Sequence, residues 1–165
     1  LMKKGFTWIE RLVVGLIVGI RAAVALPQYE MAVLKSRFAA IRTVGENLKR
    51  AEEVYYMANG HYTSTTGDLD IDFKGACKGT DVLQCENFFR VDIINGSGIV
   101  TDPDKLYISI SYYPQGYDLS ADSERGTGAF FYTIWLDNSS YPGERRCTGY
   151  SDLGKKFCKM MNAAQ

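Results

Sequence analysis

Apolar and polar positions divide the chain into two differently patterned halves. Residues 6–26 are mostly apolar, 21 positions that span about 31 Å as a helix, close to the roughly 30 Å hydrocarbon core of a bilayer. Glu10, Arg11 and Arg21 interrupt the run, and its longest uncharged stretch, residues 12–20, is nine residues. The two arginines lie toward opposite ends, where long side chains reach back to water. A carboxylate at Glu10 has no such route and is a functional candidate by default. From Gln28 the pattern turns amphipathic: Val33, Ala40, Val44, Leu48, Ala51 and Tyr55 recur at spacings of three, four or seven. Lys35, Arg37, Arg42, Glu46, Lys49 and Glu53 mostly occupy other faces. Asn59-Gly60 supplies a C-terminal stop, so residues 6–58 predict one helix of about 80 Å.

After that exit, strand patterns dominate. Residues 88–94, 106–113 and 129–136 are rich in aromatic and β-branched side chains and are bounded by Gly, Pro, Asn or Asp. Asn95-Gly96-Ser97-Gly98 and Pro114-Gln115-Gly116 read as turns. The pattern predicts a three- or four-stranded antiparallel sheet against the C-terminal half of the long helix.

Composition adds limits. A chain of 165 residues, 46% hydrophobic and 23% charged with four prolines, is not disordered, collagen-like or a multi-span membrane protein. The net charge of zero gives no whole-chain field toward nucleic acid, and no specific nucleic-acid partner is expected. The zero conceals a division, with +4 over residues 1–59 and −4 over the remainder, where all eleven Asp residues fall.

The four cysteines lie in the second half, as Cys77 and Cys85, and Cys147 and Cys158. Local pairing closes two short loops, each worth about 2–3 kcal/mol in the chain-entropy model. Zinc is the rival reading, but its ligands usually come two to four residues apart, and His61 is the chain's one histidine. Disulfides imply an oxidising compartment and therefore export. An ordinary secretory signal, cut after Ala23-Val24-Ala25 to leave a soluble chain starting at Leu26, is one route out.

The residue order suggests another. Lys3-Lys4-Gly5-Phe6-Thr7-x-Ile9-Glu10, followed by a Val/Ile/Leu run that ends Ala22-Ala23-x-Ala25-Leu26-Pro27-Gln28-Tyr29, resembles the class III signal of type IV pilins and pseudopilins. Tyr55-Tyr56-x-x-Asn59-Gly60-x-Tyr62 also resembles the helix exit of many pilins. The resemblance covers about the first 60 residues. It implies that a prepilin peptidase cuts between Gly5 and Phe6 and methylates the new Phe6 amine. It also implies that Glu10 pairs with the Phe6 amine of a neighbouring subunit during assembly, and that Gly19 and Pro27 loosen the helix. Within its own chain, Lys4 is a candidate partner for Glu10; the adjacent Arg11 faces away. Trp8, Arg11 and Arg21 stand where the family usually has leucine or another apolar residue. The arginines burden both bilayer storage and a filament core.

Other candidate sites are weaker. Asp68, Asp70 and Asp72 suggest a calcium loop, but Phe73 sits where the EF-hand turn glycine belongs and Gly79 where its bidentate glutamate belongs. Alternating acids on an exposed strand face are the plainer reading; calcium stays open through the resemblance to pseudopilins, which often bind it. No other cofactor is expected. His61 lacks the companions of a catalytic set, no Gly-rich phosphate loop is present, and an enzyme is not expected. Arg145, Arg146, Lys155, Lys156 and Lys159 gather about the last cysteine pair; a solvated face is the plainer reading, and a surface that meets DNA, an anionic surface or a neighbouring subunit is the alternative. Asn95-Gly96-Ser97 and Asn138-Ser139-Ser140 match the N-glycosylation pattern.

The expectation is an α+β, pilin-like, disulfide-stapled fold with a long N-terminal helix packed against a small antiparallel sheet. Residues 1–5 form a leader, 6–27 a transmembrane and filament-core half-helix, 28–58 an amphipathic half-helix and 59–165 a β-rich head. The expected function is a structural subunit that waits in the inner membrane and polymerises with identical copies on an assembly platform into an extracellular pilus. A pseudopilin of type II secretion is the alternative, and a soluble secreted binding domain a further one.

Overall fold

One helix, α1 (Trp8–Asn59), runs for 52 residues without a break at Gly19 or Pro27. The computed structural model describes residues 7–73, 75–94, 102–117 and 128–162. The chain divides into two compact units, Leu1–Phe38 and Ala39–Gln165. The expected turn at Asn95-Gly96-Ser97-Gly98 and the Gly5/Phe6 pair lie outside the described residues.

The helix stops where Asn59-Gly60 predicts. Gly60 takes a φ of 74°, a left-handed value that glycine adopts freely, and its N–H donates to the Tyr56 carbonyl at 2.7 Å. Burial along α1 departs from the expected stripe. The buried positions are Leu34, Phe38, Ile41, Gly45, Leu48 and Glu52, spaced alternately four and three apart. Of the six residues expected, Leu48 is buried, Ala40 is exposed and the others are half-buried. The face is chosen by close approach to the sheet. A Cβ on Gly45 would meet the Cδ1 atoms of Ile110 and Ile134 at 2.9 and 3.0 Å. It also ends on a carboxyl group, which hydropathy places on the outside.

Among the described residues the sheet has six strands rather than three or four: β1 (Cys77–Lys78), β2 (Val82–Cys85), β3 (Phe89–Ile94), β4 (Tyr107–Tyr112), β5 (Phe130–Trp135) and β6 (Arg145–Gly149). Each pairs antiparallel with the strand before it, so spatial order equals chain order. The three expected strands are the central ones; β1, β2 and β6 are short or polar and lack a long apolar run. In register, Ile108 lies opposite Ile134 and Ile110 opposite Tyr132. Phe89, Val91, Ile108, Ile110, Phe130 and Ile134 are fully buried, each stabilising the fold by roughly 1.5–3 kcal/mol. Between these positions, β3 and β4 carry a small polar cluster. Arg90 pairs with Asp92 at 2.8 Å, and the buried Ser109 and Ser111 hydroxyls lie 3.4 Å apart.

Both cysteine pairs are disulfides. Cys77–Cys85 lies within the sheet and joins directly opposed residues of β1 and β2. Cys147 on β6 is joined to Cys158 on a C-terminal helix, α2 (Asp152–Asn162). Ser151 starts that helix, its hydroxyl accepting the Gly154 N–H at 3.0 Å. Phe157 then stacks on Phe130, ring centroids 4.3 Å apart. The expected strand at Asp68, Asp70 and Asp72 is not there. Thr66–Asp68 is a single 3-10 turn, and residues 69–72 are irregular.

Candidate functional site

Glu10 lies in the first turn of α1, within a structure that the Thr-x-x-Glu spacing of residues 7–10 encodes. The Glu10 carboxylate accepts the Thr7 N–H at 2.7 Å and the Thr7 hydroxyl at 2.9 Å. The Glu10 N–H reaches back to the Thr7 hydroxyl oxygen at 3.4 Å. This is a capping box, which satisfies the unpaired donors of a helix start reciprocally. The four residues that would have disclosed it are plain in the sequence, yet neither Lys4 nor Arg11 as a partner predicts it. Glu10 therefore has a partner within its own chain among the described residues, and that partner is Thr7.

Around Glu10 and onward to Tyr29, α1 exposes apolar side chains on most of its surface, interrupted by Arg11 and Arg21. Trp8, Ile9, Leu12, Val13, Val14, Leu16, Ile17, Val18, Ile20, Val24, Leu26 and Tyr29 are all exposed, from 48% at Ile17 to 83% at Trp8. Contiguous exposed apolar surface of this extent marks a region that meets another apolar body. Gly15 and Gly19 have open space where a Cβ would be, so close approach within the chain does not explain either glycine. No helix among the described residues is long and apolar enough to cross a membrane.

The basic residues of the C-terminal region do not form one patch. Arg145 is engaged by Glu46 of α1, its Nε and Nη2 donating to the two carboxylate oxygens at 2.7 and 2.9 Å. The Arg145 hydrogen bond is the main reason the Glu46 carboxyl is held below the usual range. Arg146 pairs with Glu144 at 2.9 Å and lies over the Tyr141 ring. Lys155, Lys156 and Lys159 are left on the exposed side of α2, with no ion pair among the described residues. Of the five residues, two are structural and three remain available to a partner.

The other candidates are occupied locally. Asp68 accepts the Thr63 hydroxyl at 2.8 Å, and His61 Nδ1 lies 3.0 Å from the Asn59 carbonyl. Among the described residues no group of three His, Cys, Asp or Glu side chains is placed to hold a metal ion. Asn138 of the second glycosylation match donates its side-chain amide to the Tyr62 hydroxyl at 2.9 Å.

A type IV major pilin protein of Neisseria gonorrhoeae is 32% identical over 103 residues, 59% of this chain and 56% of the relative. A fimbrial protein of Neisseria meningitidis serogroup A is 34% identical over 85 residues, 52% of this chain and 50% of the relative. The family they support is that of the type IV pilins. The chain spans about half the length of the curated relatives it matches. No family model and no solved structure matches it. The fold is α+β and pilin-like, as expected: a long N-terminal helix, a sheet packed on it and two disulfides.

Proposed function

We propose that the chain is a pilus structural subunit, and that it polymerises through α1 into an extracellular filament. The observation that carries this reading is the exposed apolar surface around residues 8–29, which a soluble monomer has no use for. Charges keep this segment short of a plain apolar span, and its proposed storage in the inner membrane before assembly relies on Arg11 and Arg21 snorkelling toward opposite faces. A prepilin peptidase cuts between Gly5 and Phe6 and leaves a methylated amine on Phe6. The chain docks on the assembly platform, and the Glu10 carboxylate meets the Phe6 amine of a neighbouring copy.

The capping box gives that docking step a physical form. A buried carboxylate with no cation is heavily penalised, whereas one paired with an amine is not. In the single chain, Thr7 holds the Glu10 carboxylate with two hydrogen bonds. Assembly adds the cationic partner that hydrogen bonds from a neutral group do not supply.

The test is N-terminal sequencing and mass of the protein from sheared surface material, alongside filament yield for Glu10→Ala. A methylated Phe6 start in the sheared fraction, with filament yield lost in Glu10→Ala and membrane levels retained, is the expected result. A chain starting at Leu26 and recovered as a soluble monomer would falsify the proposal.

A further inference from the structure

The segment that leaves α1 is held to it by two adjacent acids, Glu52 and Glu53, and one of them has a carboxyl oxygen with no hydrogen-bond partner among the described residues. Glu53 accepts the Tyr62 hydroxyl at 2.8 Å. Asp68 accepts the Thr63 hydroxyl at 2.8 Å, and that same hydroxyl oxygen accepts the Thr65 N–H at 3.1 Å. Glu52 Oε2 accepts the Thr63 N–H at 3.2 Å. Glu52 is fully buried, and its second oxygen, Oε1, has no hydrogen-bond partner among the described residues. Tyr62 and Thr63, the residues held, are buried as well.

We propose that Glu52 is a proton-operated latch for residues 61–69: protonated, it keeps the segment seated on α1, and ionised, it releases it.

The electrostatics agree with the geometry. Burial pushes the Glu52 carboxyl up to about 7, against the Thr63 N–H that favours the anion. The charges that act on it, Glu53 on α1 and Asp68 on the 3-10 turn, are both anionic and push the same way. Glu52 takes part in no ion pair among the described residues. Protonation is therefore its route to neutrality, and Oε2 still accepts the Thr63 N–H from the neutral acid. When the segment lifts, the carboxyl reaches water and returns to an ordinary value near 4.5. The equilibrium for lifting then rises about tenfold per pH unit between roughly 4.5 and 7, and levels off above that.

The latch has a surface attached to it. The end of that segment, Asp68 and Leu69, forms one wall of a groove of about 490 Å³ together with Asp70 and Ile71 just beyond it, and Ala51, Val54 and Tyr55 of α1 form the other. Lifting the segment removes that wall, so the apolar groove is a feature of the protonated state. The proposal does not depend on filament formation.

Hydrogen exchange of the Thr63–Leu69 amides in the full chain, corrected for intrinsic base catalysis, tests it. Protection in the wild-type protein is expected to fall between tenfold and a hundredfold from pH 5 to pH 8, while β3 and β4 amides hold steady. In Glu52→Gln the step should vanish and the segment stay protected at pH 8. A step retained in that variant assigns the effect to another group, such as His61, and overturns the proposal. Carboxyl carbon titration of Glu52 in the wild type decides independently if the variant does not fold: a midpoint near 7 supports the latch, and one below 5 overturns it.

Discussion

Replacing Gly154 with alanine should unseat α2, and the size of the effect follows from distances. A Cβ at that position would lie 1.8 Å from the Ala129 carbonyl oxygen and 2.6 Å from its carbon, where ordinary contact begins at about 3.4 Å. The start of α2 has to withdraw by about 1.6 Å, since both obstacles are backbone and cannot rotate away. That carbonyl accepts the Tyr150 N–H at 2.9 Å and the Ser151 N–H at 3.2 Å, the two amides that lead into the helix. Losing both bonds costs about 2 kcal/mol at roughly 1 kcal/mol each. Withdrawal also opens the stack of Phe157 on Phe130, both fully buried. Removing a buried phenylalanine outright costs about 3–5 kcal/mol, so partial loss adds on the order of 1–2 kcal/mol. The better helix propensity of alanine returns about 1 kcal/mol. The expected net loss is about 2–3 kcal/mol, which lowers the melting temperature by roughly 10 °C. Thermal unfolding of the oxidised protein in mild detergent, followed by aromatic circular dichroism, measures it. A loss under 1 kcal/mol would refute the reasoning, because it would mean that the strand and helix separate there at almost no cost.

Two further outcomes follow from contacts already described. The Glu46 carboxyl is held low chiefly by its Arg145 hydrogen bond, so the pair stabilises the fold above the ordinary carboxylate value and ceases to as pH falls below it. Glu46→Gln should cost about 1 kcal/mol at pH 7, both partners being partly exposed, and the difference in urea midpoint should shrink by pH 3. A difference that persists unchanged at pH 3 would rule out the charge pair as its source. Replacing Cys147 and Cys158 together with serine should cost about 2–3 kcal/mol from the freed loop, and exchange of α2 amides should rise more than that of β3 and β4. Uniform loss of protection across the sheet would count against a staple that acts locally.

Much of the fold is legible in the sequence because its central elements carry long, regular signals. The Asn59-Gly60 stop works because glycine at that position takes the left-handed conformation cheaply. β3, β4 and β5 each present six residues rich in aromatic or β-branched side chains. β1 is two residues and β6 reads Arg-Arg-Cys-Thr-Gly, so both exist by pairing and cross-linking rather than by local preference. The buried line of α1 is not legible from hydropathy, since it passes through Gly45 and ends on Glu52. A small residue at a close approach and an acid at a buried one are choices made by the sheet opposite. At the proposed assembly site, Glu10 stands out as a charge in an apolar run, while its capping role lies in a four-residue pattern that the same run obscures. The five basic residues look alike in sequence; partners as distant as Glu46 divide them into structural arginines and available lysines.

The two borders of the sheet are each closed by a different device. On one side β1 is cut to two residues and cross-linked to β2; on the other, α2 lies against β6 and is bonded to it. An unpaired strand border is a template for any similar strand that drifts past, and crowded identical chains are where runaway stacking begins. A molecule proposed to self-associate through its helix thus leaves little open strand, among the described residues, for disordered association.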